Sequence, residues 1–423
     1  MKTFLKGSSL GYPEKEVGIS VSKRLPITRD AMLHRADKYI FSTGLNDGTS
    51  HLCLTNMKYG LAKIHYVQQK YGFEPDATFI TTPDETVSRN ASRWEQGISY
   101  GGKLSWGPGH EKFTILDVKP NCCGMLVGGL HDLPKPKTIL KRVFDLEQKA
   151  SYINDIRVKW DFYKGNHFID VFRVNVKEKG LNLPKYAAIL HAGCSELKGQ
   201  TERGMGLYWD ESKQLSGMAE KVKTPFGPMY IIQGRDALDY MDFHAFADDF
   251  AKKRRELAFR TIFDGGKIIC NHTHQGLLNM NEIALGCQNF QSRDQLLPIS
   301  IRADLPSYLV RGNHNFTPHQ TDMLGFTERA HELGVSHRLA RANILPHGGG
   351  YAFLDSLTVE KVFEINNKRY FKIDMVDGIG KKIISNVKEM EFTYRGREVV
   401  QRTLDIGMCS IAAVLDPVYT IKI

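Results

Sequence analysis

The sequence predicts an α+β protein, a single compact domain in which mixed β-sheets are flanked by helices. Strand-like and helix-like segments alternate along the chain without the regular strand–helix–strand order of a doubly wound parallel sheet. The chain has 423 residues, of which 42% are hydrophobic and 25% charged, so it can bury a large core. No internal repeat, low-complexity tract or linker is visible, and we therefore predict one domain over residues 1–423.

Periodicity places the elements. Short runs rich in β-branched and aromatic residues predict strands at 113–118, 168–176, 186–191, 229–233, 268–270, 307–311 and 362–373. Apolar residues at helical spacing predict helices at 59–71, 138–153, 236–262 and 327–333. The helix at 236–262 has the clearest pattern and carries a basic cluster near its end.

Composition also bears on the cellular compartment. No run of eighteen apolar residues occurs, and the opening segment lacks the apolar stretch of a signal peptide. Seven cysteines are present, an odd number without the spacing of a small disulfide-rich domain. We therefore expect a cytoplasmic protein with no membrane association and with thiols available to bind metal.

The charge balance is basic, with 57 Lys and Arg against 47 Asp and Glu and a formal net charge of +10. Basic residues cluster at 252–255, 338–341 and 381–382. Such an excess favours a polyanionic partner, because neutralisation of phosphates by Lys and Arg dominates affinity for nucleic acids. Solvated helix faces are the alternative interpretation of the same clusters.

Histidine and cysteine beside small or turn-forming residues predict a metal site. His167 follows Asn166, His191 precedes an Ala-Gly-Cys segment, and His272 follows an apolar run, so these three histidines lie at the ends of predicted strands. Thiolate and imidazole suit Mn, Zn, Fe or Co better than Mg or Ca. Two alternatives stay open. His274 competes with His272, which we favour, and Cys122 competes with Cys123.

His347 stands directly before three glycines, Gly348, Gly349 and Gly350. Consecutive glycines can turn backbone N–H groups toward an oxyanion, so this histidine is well placed to attack or hold a phosphoryl group. A phosphorylated or nucleotidylated histidine would be a covalent intermediate. A glycine-rich turn without function is the alternative.

Five motifs in the same order resemble those of the RtcB-type RNA ligases, which join RNA ends in tRNA splicing and RNA repair. The segment 165–170 resembles the family's Gly-Asn-His-Phe-Ile-Glu, and 191–193 resembles its His-Ser-Gly. The segment 306–312 is similar to Pro-Ser-Tyr-Ile-Val-Arg-Gly, 347–350 to His-Gly-Ala-Gly, and 414–422 to the closing Leu-Arg-Pro and Val-Lys-Gly. The resemblance begins near residue 95, which leaves 1–95 as a divergent N-terminal part.

The resemblance implies an RtcB-like fold and a GTP- and manganese-dependent RNA ligase. It would join a 3′-phosphate or 2′,3′-cyclic phosphate end to a 5′-hydroxyl end, with tRNA halves or broken RNA as substrate. His347 would be the catalytic residue that accepts GMP. By the same resemblance, two Mn²⁺ ions would be held by Cys123, His167, His191 and His272. The nucleotide would be bound by Asn166, Asp170, Ser307, Gly348, Gly349, Gly350 and Lys422. We also allow for an activating protein partner.

Several positions depart from the family pattern. The family's metal-binding Asp, three residues before its Cys, corresponds to Pro120, so the second metal depends on a substitute such as Asn121 or Asp117. Ser195 and Tyr351 stand where the family carries two arginines that are expected to grip RNA phosphate.

Lys198 and Arg203 are the replacements we predict for these two arginines. The segment 301–304 also replaces a family Gly-Ser-Met-Gly loop. Two further functions are therefore considered beside ligation. One is a relative that processes RNA-end phosphates or transfers GMP without joining, and the other is a non-catalytic RNA-binding protein.

Overall fold

An eleven-stranded sheet runs through the protein and carries most of the residues singled out by the sequence. The computed structural model describes residues 28–162, 165–366, 368–378 and 380–422. The opening segment, for which we predicted no signal peptide, lies outside the described residues. The single domain over 1–423 stays a prediction. None of the described helices is both long and apolar enough to cross a membrane.

The strands of the large sheet, in chain order, are β1 (Ile40–Phe41), β2 (Thr78–Val87), β3 (Ser99–Ser105), β5 (Cys123–Leu130), β8 (Phe168–Val176), β9 (Tyr186–Ala192), β12 (Lys267–Asn279), β13 (Glu282–Leu285), β15 (Leu296–Ile299), β16 (Ser307–Gly312) and β23 (Cys409–Ile421). Their spatial order is β1-β2-β3-β13-β12-β5-β9-β8-β23-β16-β15. The pairing of β1 with β2 is parallel and the other pairings are antiparallel.

Smaller sheets and hairpins are formed by β4 (Phe113–Ile115), β6 (Tyr152–Ile153), β7 (Ile156–Arg157), β10 (Glu220–Thr224), β11 (Gly227–Gln233), β14 (Cys287–Asn289), β17 (Ile344–Pro346), β18 (Tyr351–Ala352), β19 (Ser356–Ile365), β20 (Lys368–Met375), β21 (Lys381–Ile384) and β22 (Thr393–Tyr394). The helices are α1 (Arg29–Lys38), α2 (Gly48–Lys70), α3 (Ala91–Gln96), α4 (Pro136–Gln148), α5 (Lys213–Met218), α6 (Gly234–Ile262), α7 (Pro318–Met323), α8 (Thr327–Glu332), α9 (Ser336–Ala340) and α10 (Arg397–Asp405). The predicted mixture of sheet and helices is confirmed.

Two helices begin and end close to their predicted limits and others do not. The helices predicted at 236–262 and 327–333 are α6 and α8. Helix α2 starts eleven residues before the predicted 59 because Asp47 caps it, with the carboxylate accepting a hydrogen bond from the Ser50 amide at 2.8 Å. The prediction of a single strand over 362–373 is wrong, since this range covers the end of β19 and the start of β20, which pair antiparallel.

Helix α6 packs across the large sheet and fixes the position of β5. Phe259 of α6 lies so close to Gly128 of β5 that a Cβ there would come within 2.0 Å of the ring. A side chain at residue 128 would therefore push the helix away from the sheet. The neighbouring pairing of β5 with β9 sets Met125 opposite His191, and β9 in turn sets His191 opposite Phe168 of β8.

This register brings three of the four predicted ligands, Cys123, His167 and His191, to the same end of the central strands. Cys123 is the first residue of β5, His191 is the last but one of the antiparallel β9, and His167 directly precedes β8. The N-terminal strands complete the same sheet from the other side, and β2 carries Asp84. Residues 28–95, the described portion of the divergent N-terminal part, are therefore continuous with the rest of the sheet.

Candidate functional site

Cys123, His191 and His274 form a buried cluster within the large sheet. Their metal-binding atoms all lie within 4.8 Å of one another. The Cys123 Sγ is 3.1 Å from the His191 Nε2, which is 3.2 Å from the His274 Nε2. The His167 Nε2 is 3.8 Å from the same sulfur. One thiolate and three imidazoles in this arrangement can hold a transition-metal ion.

A hydrogen bond orients the imidazole of His191 toward the sulfur of Cys123. The His191 Nδ1 lies 2.8 Å from the Asn166 carbonyl oxygen, which only accepts, so Nδ1 donates and the Nε2 lone pair faces the cluster. The buried Nδ1 of His274 has no partner among the described residues. Two Nε2 atoms facing each other at 3.2 Å fit a cation that both would bind.

The two neighbouring cysteines face different surroundings. Burial opposes ionisation of Cys123, but His191, His167 and His274 hold the pKa of its thiol well below the usual range. Burial raises the pKa of the Cys122 thiol well above its usual range. Cys122 has a positive φ of 53° and its sulfur lies 3.7 Å from the His244 Nε2, away from the cluster. Cys123 is therefore the thiolate of this site.

Our preference for His272 over His274 was wrong, because His274 is the histidine that lies in the cluster. Strand β12 has a bulge between Thr273 and Gln275, which pair with successive residues of β5, so His274 is an extra residue on β12. A bulge re-aims the side chain it carries, and here it directs His274 to Cys123. His272 is half-buried next to the backbone of Leu296, where burial lowers the pKa of its ring.

We expect His274→Ala to lower metal affinity at least about tenfold, because it removes a direct ligand. The matched variant His272→Ala should keep wild-type metal content, since its ring lies outside the cluster. Elemental analysis of the two purified proteins after dialysis against Mn²⁺, Zn²⁺ or Co²⁺ measures the difference. Loss of metal in His272→Ala with retention in His274→Ala would contradict this assignment.

His167 forms an ion pair with a buried carboxylate, that of Asp161. Its Nδ1 lies 3.1 Å from the Asp161 Oδ2, and the other oxygen of Asp161 accepts from Arg254 at 2.5 Å. Burial opposes the charged ring, but Asp161 and the Cys123 thiolate raise the pKa of His167 to about 9. A metal ion would displace the Nε2 proton, as it does at other histidine ligands.

The residues fit one metal ion better than two. The described residues contain one Cys/His group of metal-binding spacing, and no carboxylate belongs to it. Asp117 accepts hydrogen bonds from the Trp209 Nε1 at 3.1 Å and the Tyr230 amide at 2.8 Å, and burial raises its pKa to about 6. The side-chain oxygen of Asn121 accepts from the Cys123 amide at 3.0 Å. Both predicted substitutes for the family Asp are therefore engaged elsewhere.

His347 lies against the Cys/His cluster. Its ring centre is 4.4 Å from that of His274, and its Nδ1 is 2.9 Å from the Asp84 Oδ2. Because the carboxylate accepts, Nδ1 donates to it, and in the neutral form of the ring the lone pair is therefore on Nε2. Burial opposes a charged ring, yet Asp84 and the nearby thiolate raise the pKa of His347. Our sequence reasoning missed Asp84, because the segment 78–87 is rich in polar residues and its burial is visible only in the fold.

The glycines after His347 serve close packing. A Cβ at Gly348, Gly349 or Gly350 would lie within 2.6 Å of a backbone carbonyl oxygen, and Gly350 also has a φ of +66°. The amides of His347 and Gly348 donate to the Asp84 carboxylate at 3.2 and 3.3 Å. Asp84 thus binds the Gly348 N–H, which corrects for this one glycine the expectation that its N–H faces a bound anion.

A cavity of about 500 Å³ opens in front of His347. The predicted nucleotide-binding residues that line it are Asn166, Asp170, Gly348, Gly349, Gly350 and Lys422. Ser307 lies behind the wall, with its hydroxyl 3.0 Å from that of Ser300, which does line the cavity. Burial raises the pKa of Asp170 to about 6 although Thr420 donates to it at 2.6 Å. Lys422 donates to the Gly165 carbonyl at 2.7 Å.

Two of the four residues in the basic cluster at 252–255 are buried. Arg254 and Arg255 are buried; Arg254 binds Asp161 and Glu196, and Arg255 donates to two backbone carbonyls. The other cations with partners are Lys252, Lys253, Arg338, Lys381 and Lys382. Most side chains of these clusters therefore have partners within the protein, while Lys253, Arg341 and Lys381 are exposed.

The replacements predicted for the two missing arginines do not line the cavity. Lys198 lies over the Tyr208 ring at 5.4 Å, and Arg203 pairs with the exposed Asp155. Tyr351 lines the cavity, while Ser195 does not. Comparison with known protein families and with curated proteins gives no match to this chain.

Proposed function

We propose that this protein is a GTP- and manganese-dependent RNA ligase of the RtcB type that works through a histidine–GMP intermediate. The observation that carries the proposal is the placement of His347. Its imidazole is oriented by Asp84, contacts the Cys/His cluster and faces a cavity large enough for a nucleotide. The order of sequence motifs supports the same family and its fold.

Cys123, His167, His191 and His274 would hold Mn²⁺, which when bound neutralises charge on the phosphates of the nucleotide. These four side chains supply one thiolate and three imidazoles, and the remaining coordination positions would be open to phosphate oxygens. A second ion would need oxygen ligands from the substrate, because the cluster itself includes no carboxylate.

His347 supplies the nucleophile. Its Nε2 attacks the α-phosphorus of GTP, a nitrogen–phosphorus bond forms, and pyrophosphate leaves with the electrons of the broken oxygen–phosphorus bond. Positive charge develops on the ring during attack. The Asp84 carboxylate, already 2.9 Å from Nδ1, stabilises that charge without rearrangement.

GMP then passes to RNA. An oxygen of the RNA 3′-phosphate attacks the adduct phosphorus, and the electrons of the nitrogen–phosphorus bond return to His347. The 5′-hydroxyl of the second RNA attacks the activated 3′-phosphorus, loses its proton, and GMP leaves as the phosphodiester forms. A 2′,3′-cyclic phosphate would first be opened by water to a 3′-phosphate.

Polar groups around the cavity would select the nucleotide. Asp170 and Asn166 offer acceptors and donors for a guanine edge and a phosphate, and Lys422 adds a cation near the opening. Ser307 would act through Ser300. The seven cysteines are unpaired and buried, which fits a reducing compartment such as the cytoplasm.

Incubation with GTP labelled on the α-phosphate and Mn²⁺ tests the proposal. Label should remain on the denatured protein, whereas GTP labelled on the γ-phosphate should leave the protein unlabelled. RNA with a 3′-phosphate should then release the label as GMP together with a joined product. Absence of protein-bound α-label would refute the proposed mechanism.

A GMP transferase that does not join RNA is the second candidate. It is favoured by Ser195 and Tyr351, which lack the arginines that the family uses on RNA phosphate. It predicts protein-bound GMP and GMP transfer to an RNA end without a joined product.

A further inference from the structure

Four cationic side chains line the cavity in front of His347, against two carboxylates, Asp170 and Asp304. These cations are Arg89, Arg93, Arg302 and Lys422. An excess of positive charge suits an anionic ligand. Which of these cations is free to bind one depends on the partners that each already has.

Three of the four are engaged within the protein. The buried Arg93 donates to the carbonyls of Val118 and Lys119. Arg302 makes two hydrogen bonds to Asp304, at 2.9 and 2.6 Å. Lys422 donates to a backbone carbonyl at 2.7 Å.

Arg89 differs from these three. Among the described residues it has no carboxylate partner and no hydrogen bond, and its Nε is buried without a partner. Its guanidinium lies 3.9 Å from the centre of the Phe392 ring and 5.8 Å from that of Tyr351. Aromatic contact holds the plane of a guanidinium and leaves its N–H groups able to donate.

The position of Arg89 links it to the nucleophile. It follows Asp84 by five residues on the segment that leaves β2, and the Thr86 hydroxyl between them donates to the Tyr351 carbonyl at 3.1 Å. Tyr351 directly follows the glycines after His347. Asp84, which orients His347, and Arg89 are thus carried on one short stretch of chain.

We propose that Arg89 binds a phosphate group of the substrate beside His347, in the role left open by the tyrosine at 351. A guanidinium presents paired donors that match two oxygens of a phosphate. The phosphate belongs either to the RNA 3′ end or to GTP, and the assay below separates these sources. The inference rests on the proposed function for the identity of the ligand, while phosphate binding is measured without catalysis.

The test compares wild type, Arg89→Ala, Arg89→Lys and the control Arg203→Ala. Arg203 is a suitable control because it is an arginine outside the cavity, paired with Asp155. Each protein is titrated with one RNA ending in 3′-phosphate or 3′-hydroxyl, and separately with GTP or guanosine. Circular dichroism checks folding, and Arg89→Gln, which keeps the stem over Phe392, replaces the alanine variant if that fails to fold.

We expect Arg89→Ala to reduce the preference for phosphate over hydroxyl at the RNA end about tenfold, since a charge-assisted hydrogen bond is lost. Arg89→Lys should recover part of it, and Arg203→Ala should match wild type. A loss confined to GTP over guanosine would assign the phosphate to the nucleotide. Unchanged preferences in both titrations would overturn the inference.

Failure of the proposed function would look different. If wild type forms no GMP adduct but Arg89→Ala still loses phosphate preference, the ligase proposal fails and the phosphate site stands. If the adduct forms and the preferences of Arg89→Ala equal those of wild type, the ligase proposal stands and the role of Arg89 is refuted.

Discussion

His347→Ala should eliminate both the GMP adduct and ligation, a loss of at least about 10⁴-fold because no other group replaces a missing nucleophile. The wild-type adduct should be labile in acid and stable in mild base, as expected of a phosphoramidate, and mass spectrometry should locate it on His347. Protein-bound label after incubation with α-labelled GTP measures the effect.

His337→Ala is the control for this result. His337 lies exposed on α9, outside the cavity, and its replacement should leave adduct and ligation at wild-type levels. If His347→Ala retained label at the wild-type level, His347 would not be the nucleophile. This conclusion would hold whatever the effect of the substitution on RNA binding.

Cys123→Ser should lower metal affinity about 100-fold or more, since even changes behind the ligands of metal sites cost 10- to 100-fold. A neutral hydroxyl would replace the thiolate that lies nearest to His191. Cys122→Ser is the matched control and should retain metal, because its sulfur faces His244. Titration of each apoprotein with Mn²⁺ or Co²⁺ measures affinity, and Co²⁺ absorption reports a thiolate ligand directly.

Equal affinity in wild type and Cys123→Ser would show that the sulfur does not bind the metal. Greater loss in Cys122→Ser would transfer the ligand role to that residue.

Candidate ligands next to strand ends could be predicted from sequence, because apolar runs beside them in the chain indicate the strands. His191 and His167 stand at the ends of apolar runs that are strands in the structure, and Cys123 begins another. His274 could not be chosen over His272 in this way. On a regular strand both would point to the same face, and the bulge that distinguishes them depends on how β12 pairs with β5.

Residues that act across long sequence separations were harder to predict. Asp84 meets His347 only because β2 and the segment after β17 approach each other in the folded chain. The surroundings of the basic cluster at 252–255 were also hidden in the sequence. Arg254 and Arg255 look like surface cations in sequence, but buried acceptors bind them inside the fold.

The position of β23 has a consequence for folding during synthesis. Residues 409–421 fill the space between β8 and β16, so each of these strands lacks one of its two neighbours until β23 has been synthesised. Nascent chains would expose two unpaired strand edges, which invite association with other chains. Shortening the chain before residue 409 should therefore yield aggregated protein rather than a smaller folded unit.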